Sequence, residues 1–278
     1  MTVPTPTPLT WLYVPGDRPG TVAKALRAGA DAVIVDLEDA VAPDRKGYAR
    51  SATAELLTGL PPTPVHVRVN ALDSPFAEAD LHVLAGLPGL SALRLPKVTD
   101  PAEVRHVANA MPDVPLYALL ESALGIERAH AIAGAHRSLR GIALGEADLR
   151  ADLGVRDDTG LAWPRSRVVV AARAAGLEPP AQSVYPDVRD LEGLAESCAR
   201  GRALGFLGRT AVHPRQLPVI ERAFLPTPGE VEEAEEIVKA AADGGALALP
   251  DGRFVDAAVV ATACRTLALA SRTPAAGP

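Results

Sequence analysis

The sequence predicts an α/β fold, a TIM-type (β/α)₈ barrel followed by a C-terminal helical and hairpin extension. Three observations support this prediction. Short apolar runs alternate with helical patterns eight times, the chain of 278 residues suits a barrel, and the residues after Phe224 exceed what eight units need. A doubly wound open sheet is the alternative, but it usually has fewer strands and a visible switch point. The predicted barrel spans 9–224 and the extension 225–272.

The predicted strands are short runs of apolar and β-branched residues bounded by turn residues. They cover 11–14, 32–35, 65–69, 92–95, 116–120, 141–144, 182–185 and 208–212. Helical patterns fill the gaps, often opened by a proline or an acid, and they are clearest at 18–28, at 43–57, from Pro101 onward and at 191–204. The sequence of the extension predicts a helix, a hairpin around Asp251–Gly252 and a final helix.

Composition narrows the classes of function. The net charge is -6 and no segment concentrates Lys and Arg, so we expect neither a nucleic-acid partner nor a membrane surface. Cys198 and Cys264 are too few for a disulfide framework or a thiolate metal site. The first ten residues lack the features of a secretory signal, and no apolar run approaches the roughly 18 residues that span a bilayer. A soluble, cytoplasmic protein is therefore expected.

Ionisable residues recur at the carboxyl ends of the predicted strands, where such barrels place their chemistry. These residues are Asp17, Arg18, Asp36, Glu38, Asp39, Arg68, Lys97, Glu121, Glu146, Asp148 and His213. The acids of the stretch DLED, residues 36–39, would repel one another unless a cation or a substrate lies among them. The alternative is a solvated loop whose acids favour the next helix N-terminus.

Glu121 and Asp148 follow neighbouring strands, so their carboxylates can converge on one hard cation. With oxygen ligands only, Mg²⁺ or Mn²⁺ is favoured over Zn²⁺; the alternative is two separate helix caps. The stretch GEAD, Gly145, Glu146, Ala147 and Asp148, can offer successive backbone N–H groups to a carboxylate. Arg68 suits a substrate oxyanion or carboxylate, or a salt bridge to the acids after the second strand.

Two further residues have competing interpretations. Lys97 could form a Schiff base, as in class I aldolases, but nearby acids would keep its amine protonated, which favours an electrostatic or structural role. His213 precedes Pro214, which favours a capping hydrogen bond over general-base catalysis.

Several motifs occur in an order that resembles a known family. They are DLEDAV, VHVRVN, LRLPKV, LLESALGI, IALGEADL, GFLGRTAVHPRQ and DGRFVD. Together they resemble the citrate lyase beta-subunit-like branch of the HpcH/HpaI aldolases, which includes malyl-CoA and citramalyl-CoA lyases. The resemblance runs from about residue 9 to 270, essentially the whole chain.

The resemblance implies a TIM barrel with Mg²⁺ held by Glu121 and Asp148. It implies that Arg68 binds a small 2-oxo acid, that the backbone of Glu146, Ala147 and Asp148 receives its carboxylate, and that Glu38 and Asp39 hold waters and Arg68 around the ion. It also implies a homotrimer, or a dimer of trimers, in which the segment DGRFVD of a neighbouring subunit supplies the catalytic residue Asp256.

The implied reaction is a reversible Claisen-type cleavage of a malyl-, citramalyl- or citryl-type thioester to a 2-oxo acid and an acyl thioester. Arg18 is the candidate for the phosphates of coenzyme A, and an acyl-carrier protein is the alternative carrier. Two other functions stay open at this point: a non-catalytic assembly subunit of a citrate lyase complex, and a class I aldolase that uses Lys97.

Overall fold

Seven parallel strands form the central sheet of the computed structural model, which describes residues 7–242, 247–248 and 254–272. Their spatial order is β6-β5-β4-β3-β2-β1-β7, so each of the first six strands lies beside its predecessor along the chain. The strands are β1 Thr10–Pro15, β2 Ala32–Asp36, β3 Val65–Arg68, β4 Leu90–Leu95, β5 Leu116–Leu120, β6 Leu139–Leu144 and β7 Arg209–Ala211. This curved parallel sheet is a half-barrel, which confirms the predicted α/β class.

Helices follow the strands along the chain, as expected for repeated βα units. They are α1 Pro19–Ala25, α2 Lys46–Leu57, α3 Ala77–Leu84, α4 Pro101–Ala110, α5 Ala123–Glu127, α6 Ala129–Ala133, α7 Glu146–Leu153, α8 Ala162–Ala174, α9 Leu191–Ala203, α10 Leu217–Phe224, α11 Pro228–Ala242 and α12 Ala257–Ala270. The predicted helix at 18–28 is shorter than expected, and the one at 43–57 begins with a 3₁₀ turn, Pro43–Arg45. None of the helices in the described ranges is long and apolar enough to cross a membrane.

The two faces of the sheet differ in chemistry, because successive side chains of a strand point to opposite faces. One face packs aliphatic residues such as Val33, Val67 and Leu93 against the helices, within a large continuous core. The other face carries Trp11 and Ile34 in a separate small cluster, with Tyr13 packed against it. The inner face is therefore the aromatic and polar one.

Strand register aligns four inward residues in one row across the sheet. Asp36 pairs with Arg68, Arg68 with Arg94, and Arg94 with Tyr117. The row therefore places Arg94 and Tyr117 beside the two charged residues Asp36 and Arg68, on the same face of the sheet.

The strand predicted at 182–185 is wrong as a strand. Only Gln182 forms a β-bridge, to Arg209, with backbone hydrogen bonds from Gln182 to Gly208 and from Thr210 to Gln182. The following carbonyl groups accept hydrogen bonds from side chains instead, Ser183 from Arg209 Nε at 2.8 Å and Tyr185 from Gln216 Nε2 at 2.9 Å. Side chains therefore satisfy backbone groups that a regular strand would pair with β6.

The C-terminal extension packs largely on itself. Helices α11 and α12 share an apolar contact that includes Ala234, Ile237 and Ala263, and the short strands β8 Leu247–Ala248 and β9 Phe254–Val255 pair antiparallel. That pairing confirms the predicted hairpin strands, although Asp251–Gly252 lies outside the described residues. Ion pairs hold the two ends of the extension against the rest of the chain, Arg202 to Glu230 at 2.9 Å and Arg272 to Asp31.

Candidate active site

A cavity of about 390 Å³ opens at the carboxyl ends of the parallel strands. It brings together most of the residues that the sequence predicts for the site, namely Asp39, Arg68, Glu121, Gly145, Glu146, Ala147 and Asp148. Glu38 does not line the cavity, but its carboxylate contacts Arg68. The predicted convergence of strand ends is thus present in one chain.

Asp36 fixes both the loop after β2 and the side chain of Arg68. Its carboxylate accepts hydrogen bonds from the backbone N–H groups of Glu38 and Ala40, at 2.9 and 3.0 Å. Arg68 donates to both carboxylate oxygens, from Nε at 2.8 Å and from Nη2 at 2.6 Å. Such a two-pronged pair fixes the guanidinium plane, so the remaining nitrogen, Nη1, has a defined direction.

Arg68 Nη1 faces further acids, with Glu38 Oε2 at 2.9 Å and Asp39 Oδ2 at 3.6 Å. Burial alone would lower the pKa of Arg68, but the hydrogen bonds and charge of Asp36, with the charge of Glu38, outweigh it and raise the pKa. Arg68 is therefore a permanent cation at the cavity wall. Both interpretations of Arg68, salt bridge and cavity cation, describe the same geometry.

Glu38 and Lys97 form the second ion pair of the site. Lys97 Nζ donates to Glu38 Oε1, and it also lies 3.5 Å from Asp39 Oδ2 and 3.9 Å from Glu121 Oε2. Burial alone would lower the pKa of Lys97, but the hydrogen bond and charge of Glu38, together with the charges of Glu121 and Asp39, raise this pKa. The amine is thus held as an ammonium, which is the wrong form for attack on a carbonyl.

Glu121 is the most perturbed acid in the cavity and is only 4% exposed. Burial, reinforced by the charges of Glu38 and Asp148 and opposed by Lys97 and Arg68, raises the pKa of Glu121 to about 7. Gly145 makes room for this carboxyl group, because a Cβ at Gly145 would lie 2.2 Å from Glu121 Oε1. The turn between β6 and α7 is therefore shaped around Glu121.

Helix α7 begins at the cavity and carries Asp148 in its first turn. The backbone N–H of Glu146 donates to Ser183 Oγ at 3.2 Å, whereas no hydrogen bond engages the N–H groups of Ala147 and Asp148 among the residues described. Free N–H groups at a helix N-terminus favour an anion. A substrate carboxylate could therefore accept hydrogen bonds from the N–H groups of Ala147 and Asp148 more readily than from that of Glu146, which already donates to Ser183.

The side chain of Glu146 is already occupied. Arg165 Nε and Nη2 donate to its two oxygens at 2.8 and 2.7 Å, and Arg165 also binds Asp158. Glu146 therefore anchors α7 to α8 and offers its backbone, not its carboxylate, to the cavity.

The donor set fits Mg²⁺. Within the described ranges no group of three or more His, Cys, Asp or Glu side chains forms a ready-made metal site. Mg²⁺, however, commonly uses one or two protein carboxylates and completes its octahedron with waters and substrate oxygens. At Glu121, burial and the charges of Glu38 and Asp148 outweigh the opposing charges of Lys97 and Arg68 and raise the pKa, so the charge of a bound cation would stabilise this carboxylate. Glu121 and Asp148 would be the protein ligands.

Two predicted residues lie outside the cavity. Arg18 precedes α1, with its side chain 67% exposed and Asp17 at 4.0 Å. Asp256 is the N-cap of α12 and accepts from the N–H groups of Ala258 and Val259, both at 2.9 Å. Neither lines the cavity of its own chain.

His213 has the capping role that its position before Pro214 suggests. Its Nδ1 accepts from the N–H of Arg215 at 3.1 Å, and Gln216 completes a capping box. No general-base role is needed to explain it.

Sequence reasoning missed several side chains that shape the site. Arg165 and Ser183 hold α7, and Lys46 Nζ supports the loop after β2 by donating to the carbonyl groups of Leu37 and Glu38, both at 2.9 Å. Lys46 belongs to a helix rather than to a strand end, and so does Arg165. Only their partners in space reveal their roles.

A family model described as HpcH/HpaI aldolase/citrate lyase matches residues 9–214. The chain belongs to this family. Its relatives include the (3S)-malyl-CoA thioesterase of Cereibacter sphaeroides, which is 38% identical over 93% of each chain. The citrate lyase subunit beta of Leuconostoc mesenteroides is 31% identical, covering 94% of this chain and 93% of the relative.

Solved structures include a protein similar to this chain in both fold and length. It is protein CitE from Mycobacterium tuberculosis, crystallised with magnesium, acetoacetate and coenzyme A. The TM-score is 0.82 at 34% identity, covering 95% of this chain and 98% of that one. The resemblance noted in the sequence is therefore confirmed at the level of the family.

Proposed function

We propose that this protein is an Mg²⁺-dependent carbon–carbon lyase of malyl-, citramalyl- or citryl-type acyl thioesters. The observation that carries the proposal is the cavity in which Glu121, Asp148, Arg68 and the free N–H groups of α7 converge. Relatives named as a citrate lyase subunit and as a malyl-CoA enzyme support it. The reaction would release a small 2-oxo acid and an acyl thioester, and would run in reverse as a condensation.

The residues divide the chemistry between them. Mg²⁺ bound by Glu121 and Asp148 would supply a Lewis acid to the carboxylate and hydroxyl oxygens of the substrate. Arg68, whose orientation Asp36 fixes, stabilises charge on the oxygen that becomes the 2-oxo group. The N–H groups of Ala147 and Asp148 hold the carboxylate. Glu38 and Asp39 hold Arg68 and the waters around the ion.

Asp256 is the proposed proton donor. Cleavage breaks the bond between the hydroxyl-bearing carbon and the α-carbon of the thioester, and the resulting enolate takes a proton at that α-carbon. In the condensation direction the carboxylate of Asp256 removes the same proton. Since Asp256 does not line its own cavity, this role requires the extension of another subunit.

We infer a homotrimer, or a dimer of trimers, in which residues 225–272 of one subunit complete the cavity of the next. Residues 9–224 would then be a barrel that closes between β6 and the segment at Gln182. The bridge from Gln182 to Arg209 and the hydrogen bond from Glu146 to Ser183 support that closure. The carrier is coenzyme A in this proposal, with Arg18 near its phosphates, or an acyl-carrier protein with the same thiol arm. The cytoplasmic location stays a prediction.

A panel of malyl-CoA, citramalyl-CoA and citryl-CoA, each with Mg²⁺ and with EDTA, tests the function. We expect release of a 2-oxo acid in Mg²⁺, detected as its phenylhydrazone, and loss of release in EDTA. Activity that survives EDTA, together with covalent labelling of Lys97 when borohydride is added, would support the class I aldolase instead. Absence of activity on all three thioesters would contradict the coenzyme A form of the proposal and favour a carrier-protein substrate or an assembly subunit.

Thioester hydrolysis is the second candidate, because the relative from Cereibacter sphaeroides is named a (3S)-malyl-CoA thioesterase. The two reactions give different products from malyl-CoA. Hydrolysis releases free coenzyme A and malate, whereas carbon–carbon cleavage leaves the thiol acylated and releases glyoxylate. A thiol reagent and a carbonyl reagent, applied to the same time course, distinguish them.

A further inference from the structure

Arg94 is a buried cation with no acid to neutralise it. It lies on β4 and is 2% exposed. Its guanidinium stands between two aromatic rings, 5.6 Å from the centre of Trp11 and 5.1 Å from the centre of Tyr117. Within the described chain no ion pair or hydrogen bond engages it, and burial lowers the pKa of Arg94. Burying a charge in this way is costly unless a partner of opposite sign is present.

Further buried groups near Arg94 have no hydrogen-bond partner, and among the described residues no acid forms an ion pair with Arg94. Trp11 Nε1, His66 Nδ1 and Arg94 Nε are all buried without a hydrogen-bond partner. Burial and the neighbouring Arg94 hold the pKa of His66 well below its usual value, so His66 is neutral. Trp11 Nε1 and Arg94 Nε are N–H donors, and an anion would satisfy Arg94 Nε; the unpartnered acceptor on the same cavity is Gln182 Oε1.

Of Trp11, His66 and Arg94, it is Arg94 that lines the active-site cavity. Arg94 lines the same cavity as Arg68 and Glu121, and it is the register partner of Arg68 on the neighbouring strand. The two arginines differ in one respect: Arg68 is neutralised by Asp36 and Glu38, whereas Arg94 is not. A substrate held at Glu121 and Asp148 can therefore extend a second anionic group toward a charge that the protein leaves unmet.

We propose that Arg94 binds a second carboxylate of the substrate and so selects a 2-oxo acid with two carboxylates. The matching thioester is of the citryl type, since its cleavage gives oxaloacetate, whereas malyl and citramalyl thioesters give glyoxylate and pyruvate. This inference rests on the proposed function and narrows its substrate class. Arg94 is then a specificity residue that touches substrate but takes no part in proton transfer.

Trp11 provides a direct readout of this contact. The chain has two tryptophans, Trp11 beside Arg94 and Trp163, which is 56% exposed. In a Trp163→Phe variant, Trp11 is the remaining tryptophan, so its fluorescence emission reports binding beside Arg94. The Mg²⁺-loaded protein is titrated with fresh oxaloacetate, pyruvate and glyoxylate, following Trp11 emission and, independently, the heat of binding.

We expect oxaloacetate to bind at least tenfold more tightly than pyruvate or glyoxylate, and to change Trp11 emission most. Arg94→Met should abolish that preference while leaving pyruvate affinity within about twofold, because it removes the charge and keeps comparable volume. Arg94→Lys, which keeps a charge without the fork, should retain part of the preference. Arg140→Met, at an exposed arginine of β6, is the matched control and should behave as wild type.

The outcomes separate the two proposals. Equal affinity for all three oxo acids in wild type, or an equal loss for all three in Arg94→Met, overturns the role of Arg94 and leaves the lyase function intact. Failure of every oxo acid to bind in Mg²⁺ overturns both. Should Arg94→Met not fold, the wild-type preference and Arg94→Lys decide. Chloride that changes Trp11 emission and that oxaloacetate cannot displace would show a structural anion instead, and would also overturn the proposal.

Discussion

The carboxyl group of Glu121 couples protonation to folding, because its pKa is about 7 in the folded chain and 4.5 is its ordinary value. Between these values the folded state binds more protons than the unfolded state, so the free energy of unfolding falls as the pH rises. At about 1.4 kcal/mol per pKa unit, the loss is on the order of 3 kcal/mol between pH 4.5 and pH 7. This stabilisation is fully present only below pH 4.5.

We therefore expect Glu121→Gln to lose this pH dependence in metal-free protein. In EDTA, the unfolding free energy of the variant relative to wild type should increase by about 3 kcal/mol between pH 5 and pH 8, measured by urea denaturation. Glu55→Gln, at an exposed acid of α2, is the control and should show no such change. Parallel pH profiles for Glu121→Gln and wild type would contradict the burial argument.

Single residues show where prediction from sequence stops. That Glu121, Asp148 and Arg68 lie near one edge of the sheet could be predicted, because each stands at the end of a predicted strand or just after it. The partners of these residues could not, since Asp36 meets Arg68 through strand register and Arg165 meets Glu146 through the packing of α8. Arg94 looks like one polar residue in an apolar strand until its register with Arg68 is known.

At the scale of elements, the turn from β6 into α7 has the tightest steric requirement of the site. Alanine at Gly145 would place a Cβ 2.2 Å from Glu121 Oε1 and 2.5 Å from its Cγ. We expect Gly145→Ala to displace Glu121, to destabilise the protein by about 1–3 kcal/mol and to weaken Mg²⁺ binding at least tenfold by calorimetry.

The control for Gly145→Ala is Gly47→Ala in α2, where nothing lies within 4 Å of the added methyl group. That variant should be neutral or more stable by up to about 1 kcal/mol, because alanine is the better helix former. Normal Mg²⁺ affinity in Gly145→Ala would show that Glu121 can move without losing the ion, and would contradict its assignment as a fixed ligand.

Elements also differ in how well a sequence predicts them. Strands such as Leu116–Leu120 are predictable to the residue because they are continuous apolar runs. The prediction for 182–185 is wrong because a short run between turn residues is not enough to form a strand here: Pro180 and Pro186 flank it, and the side chains of Arg209 and Gln216 donate to its carbonyl groups. A local pattern carries no information about such distant side-chain partners.

At the scale of the whole molecule, the proposal that subunits share active sites has a direct test. Asp256→Asn keeps a side-chain oxygen for the N-cap of α12 but removes the acid, so the fold should persist while turnover is lost. The second inactive protein is Arg68→Gln, which lacks the guanidinium of Arg68 in the cavity. Random mixing of the two inactive proteins should restore about a quarter of wild-type activity, since that share of cavities receives both intact residues.

Subunit exchange must be verified, for example by mass spectrometry of differently labelled parents. Mixtures that exchange fully yet stay inactive would contradict shared sites and place Asp256 outside the reaction. Mg²⁺ and pyruvate binding by Asp256→Asn, unchanged from wild type, is the accompanying control that the cavity itself is intact.

Lys97 gives the metal-free protein an internal substitute for part of the missing cation. Its ammonium, carried on a residue with left-handed backbone at φ 55, reaches Glu38, Asp39 and Glu121. A tethered counter-ion of this kind lets the acids be buried before any ion arrives, so the order of events becomes folding first and loading second. It also sets a threshold, because an incoming ion must compete with a charge that is always present. Occupancy of the site would then follow the free Mg²⁺ concentration, and the enzyme would fill and empty without unfolding.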